Sequence, residues 1–500
     1  MNRQRRAGPV VALAAVLGLA GAPTGMPAAS AQDGGHTAQV RWRACPEDVA
    51  ADSPRLQCAT VPVPLDYGDP GGTQIEIMIS RLASENPAAR RGVLLLNPGG
   101  PGGSGLTQPV FLTSKGLPGS VRDSYDLIGM DTRGIGHSAP LSCGFTSDGR
   151  YQGNIPPYAV DDAAVTAQAA IAEQVAGQCA ANDRQGLLRH VSTANMARDL
   201  DRIRAALGEK KASYLGYSYG ASLGAAYASM FPGTTDRIVL DSNYGDTHLD
   251  RDGLRRYGQG MEQTFPDFAR WAAERHDTYG LGRTPEDVRT TYFTLAERLD
   301  KTPAGAMNGG VFRLNTFVGL YNPGSYDRMA QAWQSLLGSG PPTDTPPTAA
   351  GPSPNDNMWS VFLAVTCNDV QWPEDVETYR RAVAEDREKY PLFGAAAADI
   401  LPCAFWPHEP VEPPAEVVGR GPANVLIVQN RRDPVTPLRG GELLDEKFGE
   451  RSRLLRVDGS GHGVYVIGGN HCAADVVTSY LVDATMPERD VDCAADKTHG

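Results

Sequence analysis

Ala212-Ser213-Tyr214-Leu215-Gly216-Tyr217-Ser218-Tyr219-Gly220 decides the reading of this chain. An apolar run, Ala212–Leu215, leads into G-x-S-x-G at Gly216–Gly220, and a small-residue helical pattern follows. That order predicts a strand, a sharp turn and a helix, with the Ser218 hydroxyl presented at the top of a sheet. Glycines flank it because side chains there would clash. In a chain with 56 glycines the pentapeptide alone is weak, so its surroundings carry the argument.

On both sides of this stretch, short apolar runs alternate with helical patterns. Thr60–Tyr67 and Thr73–Leu82 read as extended, the second alternating Ile75, Ile77 and Ile79. Gly92–Leu96, Tyr125–Met130, Ser213–Leu215, Arg237–Leu240, Asn424–Val428 and Arg453–Val457 read as buried strands. Met196, Leu200, Ile203 and Leu207 keep helical spacing, with Ser192 or Thr193 as the cap and Gly208 as the stop. The alternation predicts an α/β fold, a mostly parallel sheet flanked by helices on both faces. From Asp241 to about Gly421 the rhythm becomes mainly helical and aromatic-rich, which reads as an inserted cap. Gly338–Asn357, rich in Pro, Thr and Gly, reads as a mobile surface loop.

A serine hydroxyl needs a base, and the base needs a carboxylate to fix its tautomer. Asp433 follows strand Asn424–Val428, and His462 follows strand Arg453–Val457, 29 residues on. Ser218, Asp433 and His462 thus stand at strand exits in the order Ser…Asp…His of the α/β-hydrolases. Asp241 is the rival acid, at the end of the strand after the nucleophile. His471, beside a cysteine, and His499, in the terminal tail, are weaker rivals for the base. Acyl transfer also needs donors for the oxyanion. Tyr219 N–H supplies one, and Gly100, in the glycine-rich loop 97–103, the other. That loop holds no Lys or Arg and lacks the P-loop pattern, so nucleotide binding is not expected. Asp131 and Arg133 sit at a strand-to-loop corner and read as a structural ion pair or turn. Arg431 and Arg432 read as solvated loop charges.

Arg3, Arg5 and Arg6 precede an apolar stretch, Val10–Ala22, and an Ala29-Ser30-Ala31 cleavage pattern. Residues 1–31 therefore read as an export signal, too short to span a bilayer. The remainder divides into core 32–245, cap 246–420 and core 421–500. Removing three arginines and no acid takes the formal charge from −12 to −15. An acidic exported chain is a poor partner for nucleic acid or anionic membranes. Eight cysteines allow 105 pairings. They fall into four sequence-local couples, and bridges Cys45–Cys58, Cys143–Cys179, Cys367–Cys403 and Cys472–Cys493 are expected.

Four motifs occur together in this chain: Asn97-Pro98-Gly99-Gly100-Pro101-Gly102, Asp131-Thr132-Arg133-Gly134-Ile135-Gly136-His137-Ser138, Gly216–Gly220 and Asp433-Pro434-Val435-Thr436-Pro437. As a set, from about residue 40 to 495, they resemble the secreted bacterial tripeptidyl aminopeptidases. Those belong with the prolyl aminopeptidases among the α/β-hydrolase serine peptidases. The resemblance implies a cap inserted after the strand that follows the nucleophile helix, the triad Ser218, Asp433 and His462, and release of short peptides from free N-termini. It implies no metal or organic cofactor. A peptide with a free N-terminus is the expected partner, and the protein is expected to be a secreted monomer without stable membrane association. An α-ammonium calls for a carboxylate, for which Asp369 and Glu374, beside Cys367 and Trp372, are the candidates. Thr436 is placed to donate its hydroxyl to Asp433. The triad alone leaves a secreted esterase or lipase-like acyl hydrolase open. A non-catalytic binding protein is disfavoured, because nucleophile, acid and base are all present.

Overall fold

All six residues are buried in each of three strands, β4 (Gly92–Asn97), β5 (Tyr125–Met130) and β6 (Ala212–Tyr217). Parallel strands covered on both faces require this, and each leucine buried in them contributes about 2 kcal/mol. The computed structural model describes residues 40–338 and 351–496. The expected export signal, His499, and residues 339–350 of the expected loop lie outside the described residues.

Seven further strands complete one sheet. In chain order they are β1 (Arg43–Ala44), β2 (Gln57–Pro64), β3 (Gln74–Leu82), β7 (Thr235–Asp241), β8 (Val425–Arg432), β9 (Ser452–Ser460) and β10 (Val491–Cys493). The ten strands lie in the order β1-β2-β3-β5-β4-β6-β7-β8-β9-β10. β1, β2, β3 and β5 pair antiparallel, and every pair from β5 to β10 is parallel. Register brings Asn97 beside Gly216, Tyr217 beside Asp241, and Asp241 beside Val428. The glycine loop, the serine turn and the loops after β7 and β8 therefore leave the sheet along one edge. This is an α/β-hydrolase fold.

One expectation shifts. The first extended segment is Gln57–Pro64, three residues earlier than 60–67. Asp66 Oδ1 accepts from Gly68 N at 2.7 Å and turns the chain before Tyr67. Ser192 caps the helix Thr193–Ala206, accepting from Asn195 N, and Gly208 follows its end at φ 75°.

Between β7 and β8 the described residues form six long helices, among them Arg251–Ala273, Gly309–Gly319 and Asp356–Asp369. Aromatic packing holds this insertion. The Phe265, Phe268, Tyr292 and Phe312 rings lie 5.2–6.3 Å from Trp333. Its apolar side chains share one buried cluster with Val93 and Leu95 of the sheet. All four cysteine couples are bridged as expected. Among the described residues no helix is long and apolar enough to cross a membrane.

Candidate active site

Ser218 occupies the single residue between β6 and the helix Tyr219–Met230, at φ 57° and ψ −124°. A side chain in that region costs about 1–3 kcal/mol, so the surroundings must impose it. They do so by close packing. A Cβ on Gly216 would lie 2.3 Å from Gly220 O, and one on Gly220 would lie 2.7 Å from Asn97 Oδ1. Both glycines of the pentapeptide are thus required by contact. Ser218 N donates to Asp241 O at 2.9 Å, tying the turn to β7.

Asp433 is completely buried in the turn after β8. Its Oδ1 accepts from Val435 N and Thr436 N, both at 2.9 Å, and its Oδ2 from Thr436 Oγ1 at 2.8 Å. His462 Nδ1 faces the same carboxylate, 2.9 Å from Oδ2 and 3.1 Å from Oδ1. That contact places the proton on Nδ1 and leaves Nε2 as the free acceptor. Burial disfavours the charged ring, but the charge and hydrogen bond of Asp433, with the charge of Asp241, outweigh it and push the His462 pKa up. Thr436 Oγ1 also lies 3.3 Å from His462 Nδ1. The backbone of His462 is held separately, its N–H donating to Tyr321 O at 2.7 Å.

Asp241, the rival acid, is not paired with a histidine. Its carboxylate accepts from Val464 N at 3.0 Å, Tyr465 N at 2.7 Å and Ser242 Oγ at 2.9 Å. Ser242 Oγ in turn accepts from Gly463 N at 3.0 Å. Asp241 and Ser242 together therefore hold the three residues that follow His462. Burial pushes the Asp241 carboxyl up to about 7, partly offset by these hydrogen bonds and by the charge of His462. Replacing Asp241 with asparagine turns a donor toward backbone donors. This leaves buried groups unpaired, at about 1–3 kcal/mol. We expect Asp241→Asn to unfold at lower denaturant and to lose kcat more than KM; equilibrium unfolding and steady-state kinetics check this.

A cavity of about 450 Å³ opens over Ser218 and His462. The glycine loop contributes Pro98, Gly100 and Pro101, and the helix Asp356–Asp369 contributes Met358, Trp359 and Phe362. Gly99 lies against the serine turn, where a Cβ would stand 2.4 Å from Tyr217 O and 3.3 Å from Tyr219 N. Tyr219 begins its helix, so its N–H has no acceptor within the helix. The structure thus brings Ser218, His462 and Gly100 to one cavity, with Asp433 behind His462.

Three tyrosines that the sequence did not mark as site residues also line it: Tyr244, Tyr257 and Tyr321. Tyr244 OH lies 3.4 Å from Ser218 Oγ and 3.3 Å from Tyr257 OH. Ser218 Oγ makes no hydrogen bond to His462 in this state. Catalytic hydrogen bonds of free enzymes are often long and tighten with substrate. The one signal for Tyr244 was its place three residues beyond the end of β7.

Asp369 and Glu374 are placed elsewhere. Asp369 Oδ1 accepts from Thr193 N at 2.8 Å and Oδ2 from Thr193 Oγ1 at 2.6 Å, so this carboxylate serves the start of the helix Thr193–Ala206. Burial pushes it up to about 7. Glu374 is exposed, and the Trp372 indole N–H donates to Thr366 O inside the fold. No Asp or Glu lines the catalytic cavity among the described residues. Arg133 is structural, but its partner is Asp199, which it grips with two hydrogen bonds of 2.7 Å, and not Asp131. Arg431 pairs with Asp492, and Arg432 joins Asp458 and Asp267.

Known proteins are similar to this chain in sequence. The family model described as TAP-like protein matches residues 390–493, which span the acid and base turns. The tripeptidyl aminopeptidase of Streptomyces coelicolor is 34% identical over 92% of this chain and 87% of its own. The serine protease Hip1 of Mycobacterium tuberculosis is 28% identical over 91% of each. A Mycobacterium tuberculosis protein named carboxylesterase B is 30% identical over 91% of this chain and 90% of its own. A serine turn on a mostly parallel sheet, with relatives alike over nine-tenths of the length, has one reading: this chain belongs to the tripeptidyl aminopeptidase family of α/β-hydrolase serine enzymes.

Proposed function

We propose that this protein is an exported serine exopeptidase that releases short peptides, tripeptides, from free N-termini. Ser218 Oγ attacks the scissile carbonyl while His462 Nε2 takes its proton, and Asp433 holds the ring by Nδ1–H and stabilises its charged form. The N–H groups of Gly100 and Tyr219 receive the oxyanion. His462 then protonates the leaving amine, and water releases the acyl group by the reverse sequence. The observation that carries this reading is the fully buried Asp433 bonded to His462 Nδ1 at the wall of the cavity that holds Ser218. Segment 246–420 acts as the cap, since Tyr257, Leu314, Tyr321 and Trp359 roof the cavity. The acidic charge, four bridges and N-terminal signal pattern support work outside the cell.

Thr436 braces the acid. Its hydroxyl satisfies Asp433 Oδ2 at 2.8 Å, and we expect Thr436→Val to lower kcat about tenfold with KM little changed, one charge-assisted hydrogen bond being worth about 1.5 kcal/mol. Specific activity equal to that of the parent would remove the role.

With Asp369 and Glu374 outside the cavity, the groups available to an α-ammonium there are neutral oxygens of Tyr and Asn and the ring of Trp359. The acid-free lining favours a second reading, a carboxylesterase with the same triad. Parallel assays on an unblocked tripeptidyl p-nitroanilide, its N-acetyl form and a p-nitrophenyl ester separate the two. The exopeptidase reading expects the unblocked peptide to win by about tenfold or more in kcat/KM, the loss from one mismatched polar group. Hydrolysis of the ester alone would establish the esterase.

A further inference from the structure

A second cavity, of about 260 Å³, adjoins the catalytic one; Gly153, Ile155 and Leu314 line both. Gln168 projects into it from the helix Asp162–Asn182. The residue is only 6% exposed, yet its carboxamide makes no hydrogen bond among the described residues. An amide held in place by packing, with its polar end open to a cavity and without a protein partner, is a recognition group, with two donors and one acceptor to offer. Arg150, an exposed side chain, lines the same cavity and makes no ion pair among the described residues, and none of the described residues lining it is acidic. The Cys143–Cys179 bridge joins the chain leading to Arg150 to the helix that carries Gln168, which holds the two carriers together.

We propose that this second cavity is a peptide subsite for a residue bearing a carboxylate or carboxamide, Arg150 supplying charge and Gln168 hydrogen bonds; the inference rests on the peptidase reading above. A substrate in the catalytic cavity reaches it past Ile155 and Leu314, so the effect belongs to a residue away from the scissile bond. It concerns binding of the substrate and not the chemistry at Ser218.

The test is steady-state kinetics with matched oligopeptides carrying Glu, Gln, Leu or Lys at each such position in turn. At one position Glu should exceed Lys about twofold to fivefold in kcat/KM, through KM, as an exposed charge pair gives. Arg150→Glu should reverse that order, and Gln168→Leu should erase the preference of Glu and Gln over Leu. Both variants should hydrolyse p-nitrophenyl acetate, which fills only the catalytic cavity, as the parent does. An identical order in parent and Arg150→Glu at every position would overturn the subsite and leave the peptidase reading standing. Hydrolysis of the ester with no peptide cleaved would overturn both.

Discussion

Replacing Ser218 with alanine is expected to remove about a millionfold of the turnover and leave the fold unchanged. The size follows from the unit in which the hydroxyl works. Loss of the nucleophile costs about as much as loss of the whole triad, since base and acid then have nothing to activate. The fold should survive because the turn is held by backbone and glycine contacts, not by the hydroxyl. Gly216 packs on Gly220, Gly220 on Asn97, and Ser218 N on Asp241 O. The Oγ gives up one long contact, 3.4 Å to Tyr244 OH. Circular dichroism and an unfolding curve should therefore superimpose on the parent, while peptide and ester turnover both vanish. Turnover that survives in Ser218→Ala, with unchanged fold, would move the chemistry off this serine.

Asp433→Asn is expected to cost about ten-thousandfold in kcat, because the amide favours the wrong imidazole tautomer. It also carries a pH signature with a defined sign. Catalysis needs neutral His462, so kcat/KM falls as pH drops through the His462 pKa of the free enzyme. Asp433 and Asp241 push that pKa up against burial, so the parent's acid limb should lie above the ordinary imidazole value of about 6.5. Without the Asp433 charge, burial prevails and the limb should move to lower pH. Residual activity of the variant measured between about pH 5 and 8 checks this. A limb that stays in place would show that another group controls it.

The parts of the site that the sequence displayed are those whose chemistry is local. The elbow announces itself because Gly216, Ser218 and Gly220 must be neighbours to make the turn. Asp433 and His462 are visible because each follows a strand, and parallel strands deliver their C-terminal ends to one edge. The cysteine couples were legible for a similar reason: each bridge spans 36 residues or fewer.

The clamp of Asp241 and Ser242 on the His462 loop joins residues more than 220 positions apart. Only the packed sheet creates that partnership. Asp369 misled for the same reason. Its segment carries an acid, a tryptophan and a disulfide, but position in the chain does not give direction. As the last residue of the helix Asp356–Asp369, its carboxylate meets the Thr193 N–H and hydroxyl at another helix's start. An unsatisfied helix N-terminus competes for any carboxylate nearby, and here it outcompetes the cavity. Tyr244 has no motif at all; its hydroxyl reaches Ser218 because β7 runs beside β6.

In the proposed mechanism one serine, activated by His462 and Asp433, carries the acyl group. Mass spectrometry of the intact protein and its peptides after treatment with a fluorophosphonate checks this. A single adduct is expected, on Ser218, formed in step with loss of activity and absent from Ser218→Ala. An adduct on another residue, or full inactivation with Ser218 unmodified, would contradict it.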